Sequence, residues 1–459
     1  MNASQSRMPM QAGVKPLELK DPRSKMPQRL DSTSPSFETE FAQFLGRKRE
    51  TAGDVNDAVR DIIEAVRQRG DDALQEFTAR FDHVELDQVG IQVSSADISD
   101  AANAVDSETM AALAFAADRI KSHHQRQFPS DDRYVDGAGA ELGYRWTAVD
   151  SAGLYVPGGK AAYPSSVLMN AIPAKIAGVE RIAMVVPTPN GELNPLVLAA
   201  ASLAGVDEVY RVGGAQAIAA LAFGTETVAP VAKIVGPGNA YVAAAKRQVF
   251  GTVGIDMVAG PSEVLIIADG DNDPDWIAVD LLAQAEHDEA AQSILITDDA
   301  AFAVAVERAV EAQLAQLNRA QIARASWQSY GAIITVADLD DAPALANRIA
   351  AEHLEIATPN ADALAKRIHN AGAIFLGRHT PEAIGDYVAG SNHVLPTARS
   401  ARFSSALGVL DFMKRTSILR LDPQSLKALG PAAMVLATAE GLDAHCRSVA
   451  IRLSDADTE

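Results

Sequence analysis

The order of apolar and polar positions divides the chain into distinct textures. Residues 1–36 mix Pro, Ser, Gln and charges with no apolar period, which predicts a disordered extension. From Phe37 to about Gln127, apolar side chains recur three and four apart between charges, as in DVNDAVRDIIEAVRQRGDDALQEFTARFD (54–82). That spacing predicts a helical scaffold. Beyond ELGYRWTAVDSAGLYVPGG (141–159), short β-branched runs alternate with Ala-rich helical stretches. RIAMVVPTP (181–189), EVYRVGG (208–214), AKIVGPG (232–238), EVLIIAD (263–269), SILITDD (293–299), GAIITVADL (331–339) and GAIFLG (372–377) read as buried strands closed by Gly, Pro or Asp. Such alternation builds parallel sheets from βαβ units, and the runs exceed what one nucleotide-binding sheet needs. The expectation is an α/β protein with two domains. From about Ser404 the pattern reads helical again, above all over 426–453.

Composition narrows the class. The chain has 459 residues, 48% of them hydrophobic, which supplies more than one core. Sixty acidic against 40 basic side chains give a net charge of −20, which repels a phosphate backbone and argues against nucleic acid as a partner. No run approaches the roughly 18 apolar residues of a membrane span, and the first residues lack an apolar signal core. The expectation is a cytoplasmic protein without a membrane partner. Cys446 is the sole cysteine, so no internal disulfide forms. No Gly-x-Gly-x-x-Gly fingerprint follows a strand, and no Gly-x-x-x-x-Gly-Lys-Ser/Thr loop is present.

Candidate chemistry gathers around histidine, of which the chain has nine. The triplet Ala-Glu-His occurs in LLAQAEHDEA (281–290) and again in RIAAEHLEIA (348–357). In the first, Gln284 and His287 lie three apart on a helix expected over Asp275–His287, so they share a face. Two readings stand: a polar pair on a solvated last turn, or two metal ligands completed by donors among Asp386, His393 and His445. No Cys-x-x-Cys or His-Glu-x-x-His spacing decides between them. In the second, Glu352 and His353 fall between a helix and a short strand, at a junction expected to be exposed. They are either a surface pair or an acid–base pair working near neutral pH. Glycine-rich turns at 153–166, 211–226 and 233–247, and a fourth at 256–267 holding Ser262, could offer backbone N–H groups to an anion. Any one suits mere packing; three in succession favour a ligand crevice. Cys446 is either a structural cysteine or a thiol nucleophile for aldehyde oxidation.

Taken together, GLYVPGGKAAYPSSVLMNAIPAKIAGV, VGGAQAIAALAFGT, KIVGPGNAYVAAAKR, DMVAGPSEVL, LLAQAEHD, AAEHLEI, GDYVAGSNHVLPT and AEGLDAH closely resemble histidinol dehydrogenase, in order, from about Phe37 to Leu453. The resemblance implies NAD-dependent oxidation of L-histidinol to L-histidinal and on to L-histidine, with two NAD consumed and one zinc ion (Zn2+) per active site. It makes Gln284, His287, Asp386 and His445 the zinc ligands and Glu352 and His353 the catalytic pair. Ser262, Gln284, His287, Glu352, His353, Asp386, His393, Glu440 and His445 match substrate-contacting positions, and Tyr155, Gln216 and Asn239 those that hold NAD. It implies two Rossmann-like, incomplete parallel-sheet domains, with helical terminal segments exchanged in a homodimer. The first α/β domain is expected over 37–154 and 264–403, the second, NAD-binding one over 155–263, and a dimerisation segment over 404–459. Read as one helix, Glu440 and His445 would point apart; the resemblance resolves this by sending the C-terminal segment into the partner's site. Two alternatives compete: a relative acting on another amino alcohol, and a non-catalytic zinc-containing protein. The second gives no reason for an acid–base pair.

Overall fold

The computed structural model describes residues 26–47, 55–158 and 163–455. The first part of the expected extension, 1–25, lies outside them. In chain order the strands are β1 (Gln28–Asp31), β2 (Asp132–Val135), β3 (Glu141–Ala148), β4 (Ser151–Tyr155), β5 (Arg181–Val185), β6 (Glu208–Tyr210) and β7 (Lys233–Val235). They continue with β8 (Gly254–Ile255), β9 (Glu263–Ala268), β10 (Gln292–Thr297), β11 (Ala332–Thr335), β12 (His353–Ala357), β13 (Ala373–Leu376) and β14 (Met413–Arg420).

Two parallel sheets form, as the apolar runs predict. One has the order β1-β11-β10-β9-β12-β13, the other β6-β5-β4-β7-β8. Helices cover both faces, so the strands carry unbroken apolar runs; in β9, EVLIIA, all six residues are buried. The six-stranded sheet packs one face around Phe41, Leu265 and Ile334 and the other around Leu281, Leu295 and Trp327. A third, antiparallel sheet has the order β14-β3-β2. Among the described residues no helix is long and apolar enough to cross a membrane.

Several expectations need correction. Gln28–Asp31 lies within the stretch read as disordered, yet it is the edge strand of the larger sheet, and Arg29 pairs with Glu307. The helical scaffold does not belong with that sheet as a whole. Only Phe37–Leu45 packs there; Val59, Ile62 and Val66 share a core with Ala217 and Leu221, and Ile120 packs with Leu154 and Met184 of the five-stranded sheet. The expected domain edges also cut strands, because β4 starts at Ser151 and β9 at Glu263. Finally, the segment after 404 is not wholly helical. Met413–Arg420 pairs along its length with β3 before the helices Pro423–Ala439 and Asp443–Asp455. Both faces of β14 meet solvent at most positions, so it carries no apolar face to reveal it.

Candidate active site

A cavity of about 490 Å³ lies between the two parallel sheets. One wall is the Gly236–Asn239 turn beyond the carboxyl end of β7. The other stands at the amino ends of β9 and β12: Ser262 precedes β9, and His353 opens β12 beside Val264. Only the five-stranded sheet thus presents its carboxyl edge, the usual ligand side of an open α/β sheet.

Ala350 ends the helix Ala342–Ile349 in the left-handed region at φ 53°, turning the chain into β12. Glu352 and His353 end up 5% and 4% exposed, which corrects the exposed junction expected from sequence. Glu352 Oε2 accepts the Glu263 N–H at 3.0 Å. His353 Nδ1 is 3.1 Å from the Glu263 carbonyl oxygen. In the neutral form, with Nδ1–H donating there, the lone pair is on Nε2, which has no hydrogen-bond partner and stands 3.6 Å from Asp386 Oδ1. Burial pushes the Glu352 carboxyl up to about 7, against the pull of His353 and the Glu263 amide. Burial opposes charge on His353, but the carboxylates of Glu382, Glu352 and Asp386 outweigh it and hold the imidazole well above its ordinary value.

Gln284 lies in the last turn of the helix Pro274–Ala285, buried, its amide beside Glu382, to which it can donate at 3.1 Å only with nitrogen turned toward the Oε1 acceptor. His287 falls just beyond the helix end, so a capping turn, rather than the continuous helix expected to His287, brings the two together. Asp386 comes from the short helix Glu382–Tyr387; burial would raise its carboxyl, but the His353 imidazole 3.6 Å away keeps it below the usual range. His393 Nε2 lies 3.1 Å from Ser166 Oγ, and Asn392 pins the same loop to the Met169 carbonyl at 2.6 Å. Burial lowers both His287 and His393, favouring the neutral imidazole that a cation prefers.

Gln284, His287, Asp386, Ser262, Glu352, His353, His393 and Asn239 therefore line one cavity. Asn239 also caps the helix Ala240–Val249, its Oδ1 accepting from Tyr241 and Val242. Tyr155 and Gln216 are buried beneath the adjoining turns; Tyr155 hydroxyl accepts the Gly214 N–H at 3.2 Å. Glu440, His445 and Cys446 are not brought to this cavity. Glu440 caps the helix Pro423–Ala439, Gly441 turns the chain at φ 72°, and His445 is exposed in the following helix. The two are thus not on one helix, which removes the angular conflict that a single helix posed. Among the described residues no three His, Cys, Asp or Glu side chains make a cation cage on their own. One amide, one imidazole and one carboxylate from Gln284, His287 and Asp386 nevertheless suit zinc, one donor short of a tetrahedral set.

Sequence reasoning missed the acids behind His353. Glu382 Oε2 lies 3.6 Å from His353 Nδ1, and burial raises it to about 8. Glu355 accepts the Glu382 N–H at 2.6 Å and also bonds Asp280, whose carboxyl burial raises to about 6. One signal was present: an acid in the middle of the apolar strand HLEIA.

The histidinol dehydrogenase family model matches residues 45–453. The histidinol dehydrogenase of Rhizobium meliloti is 68% identical over 426 residues, 93% of this chain and 98% of that protein. That of Rhodopseudomonas palustris is 67% identical over 429 residues, 94% of this chain and 100% of that protein. The crystal structure of histidinol dehydrogenase from Elizabethkingia anophelis aligns with a TM-score of 0.89 at 36% identity, covering 94% of this chain and 99% of that one. By sequence and by fold, the chain belongs to the histidinol dehydrogenase family and is an oxidoreductase.

Proposed function

We propose that the chain oxidises L-histidinol through L-histidinal to L-histidine, using NAD and one zinc ion per site, as a cytoplasmic homodimer with shared active sites. The buried Glu352–His353 pair, with His353 Nε2 3.6 Å from Asp386 in the cavity that Gln284 and His287 also line, carries this reading. Gln284, His287 and Asp386, with the partner's His445, would hold zinc, which when bound supplies an anchor for the amino and imidazole nitrogens of histidinol. Tyr155, Gln216 and Asn239 would border NAD, which supplies the hydride acceptor.

The chain's own groups then manage protons. His353 Nε2 takes the alcohol proton as the first hydride leaves, giving the aldehyde. Glu352 takes a proton from the water that adds to that aldehyde. His353 meanwhile returns its first proton to the aldehyde oxygen, completing the hydrate, and then takes a hydroxyl proton of that hydrate as the second hydride leaves. Ser262, His393 and the partner's Glu440 would hold the rest of the substrate, so the aldehyde stays in place while the cofactor is exchanged. Cys446 plays no part: its Sγ contacts Thr438 Oγ1 at 3.6 Å on the C-terminal hairpin.

The test is stoichiometric. Protein supplied with zinc, excess NAD and limiting L-histidinol should yield two NADH per substrate. One NADH, or none, rejects the four-electron reading.

A further inference from the structure

The turn after β7 is held by a buried ion pair that the chemistry above leaves unused. Gly236 has φ 106°, and a Cβ there would sit 2.2 Å from the Tyr155 carbonyl oxygen, so the turn passes β4 as closely as a backbone can. Both polar backbone groups of Gly236 end on the pair. Its N–H donates to Asp256 Oδ2 at 2.8 Å, and its carbonyl accepts from Lys246 Nζ at 2.9 Å. Lys246 Nζ also donates to Asp256 Oδ1, which accepts the Met257 N–H at 2.6 Å. The two side chains are 2% and 1% exposed.

A buried ion pair adds little net stability, because well-packed apolar side chains of the same volume serve as well. Its hydrogen bonds do fix direction. Here they join two segments of the cavity wall: the Gly236–Asn239 turn on the cofactor side, and the loop from Asp256 to Ser262 on the substrate side. Glu352, His353, Gln284 and Asp386 are held separately, by the six-stranded sheet and its helices.

We infer that Lys246 and Asp256 are positioning residues that lock the cofactor-side turn to the substrate-side loop, setting the approach of NAD to the alcohol. This rests on the NAD-dependent reading above. The Lys246→Met/Asp256→Asn variant nearly keeps volume and leaves no lone charge. NAD affinity without substrate, the KM for NAD and for L-histidinol, zinc content and melting temperature are measured together. The expected result is a rise of about tenfold or more in Kd and KM for NAD, with KM for L-histidinol and zinc content near wild type. Asp256→Asn alone, which leaves Lys246 charged and unpaired in the interior, should move NAD binding in the same direction and lower the melting temperature further. Unchanged NAD constants in whichever variant folds overturn the proposal, even if its melting temperature falls, since that outcome marks a purely structural pair. Wild-type protein that binds NAD but makes no NADH from L-histidinol refutes the functional reading instead, and the NAD affinities then decide the clamp alone. Absence of NAD binding by the wild type overturns both.

Discussion

Glu352 and His353 adjoin in sequence yet need opposite histories. To draw a proton from water Glu352 must be ionised, and its burial sets that ionisation at about 7. Oxidation of added L-histidinal should therefore decline as pH falls below about 7, and should go on rising above it, because His353, held well above its ordinary value, must also lose its proton to act as base. Glu352→Gln should slow that half-reaction on the order of 10²–10⁴-fold while zinc content is retained; full histidinal turnover by the variant would remove Glu352 from the water step. Glu355 makes a different prediction, about stability. Burial and the neighbouring Asp280 and Glu382 carboxyls hold it well above the ordinary value of 4.5. Folding thus favours its protonated form, and that contribution is complete below the unfolded value and lost as pH rises through the folded one. Glu355→Gln abolishes the loss, so the variant's melting temperature relative to wild type should climb as pH rises above the unfolded value of 4.5. A pH-independent difference would mean that the carboxyl ionises alike in both states.

Elements were legible in proportion to their burial. β5, β9, β10 and β11 lie inside sheets covered on both faces, so each must be an apolar run and each shows in the sequence. β2 and β14 expose most positions, and β1 is four residues, QRLD; none carries a period that distinguishes it from a loop. The site was readable as motifs because Gln284–His287, Glu352–His353 and the stretch from Asp386 to His393 each sit within a few residues of one another. Convergence was not readable. Lys246 and Asp256 belong to different elements with no common period, and Glu382 reaches His353 only because β12 and the helix Glu382–Tyr387 are neighbours in space.

At the scale of the molecule, the C-terminal hairpin stands apart from both cores. Its helices cross closely at Gly430, where a Cβ would meet Leu453 at 2.8 Å. Its outer face leaves Val435 and Ile451 68% and 61% exposed, the kind of apolar surface that a second subunit covers. If each site borrows the partner's His445, a His353→Asn chain and a His445→Ala chain should each be inactive alone and restore one site per mixed dimer when co-expressed. Random pairing then gives about a quarter of wild-type activity. No recovery in verified mixed dimers would show that each site is built within one chain.

β1 closes an edge of the larger sheet, four residues of it along β11. Without it, β11, whose sequence is the sticky AIIT, would present a row of unpaired amides and carbonyls to any other chain with the same defect. A chain starting at Met26 should remain dispersed on warming, whereas one starting after Asp31 should self-associate, as light scattering would reveal. A few residues that look like the end of a loose leader would then be what keeps one copy of the protein from templating the aggregation of the next.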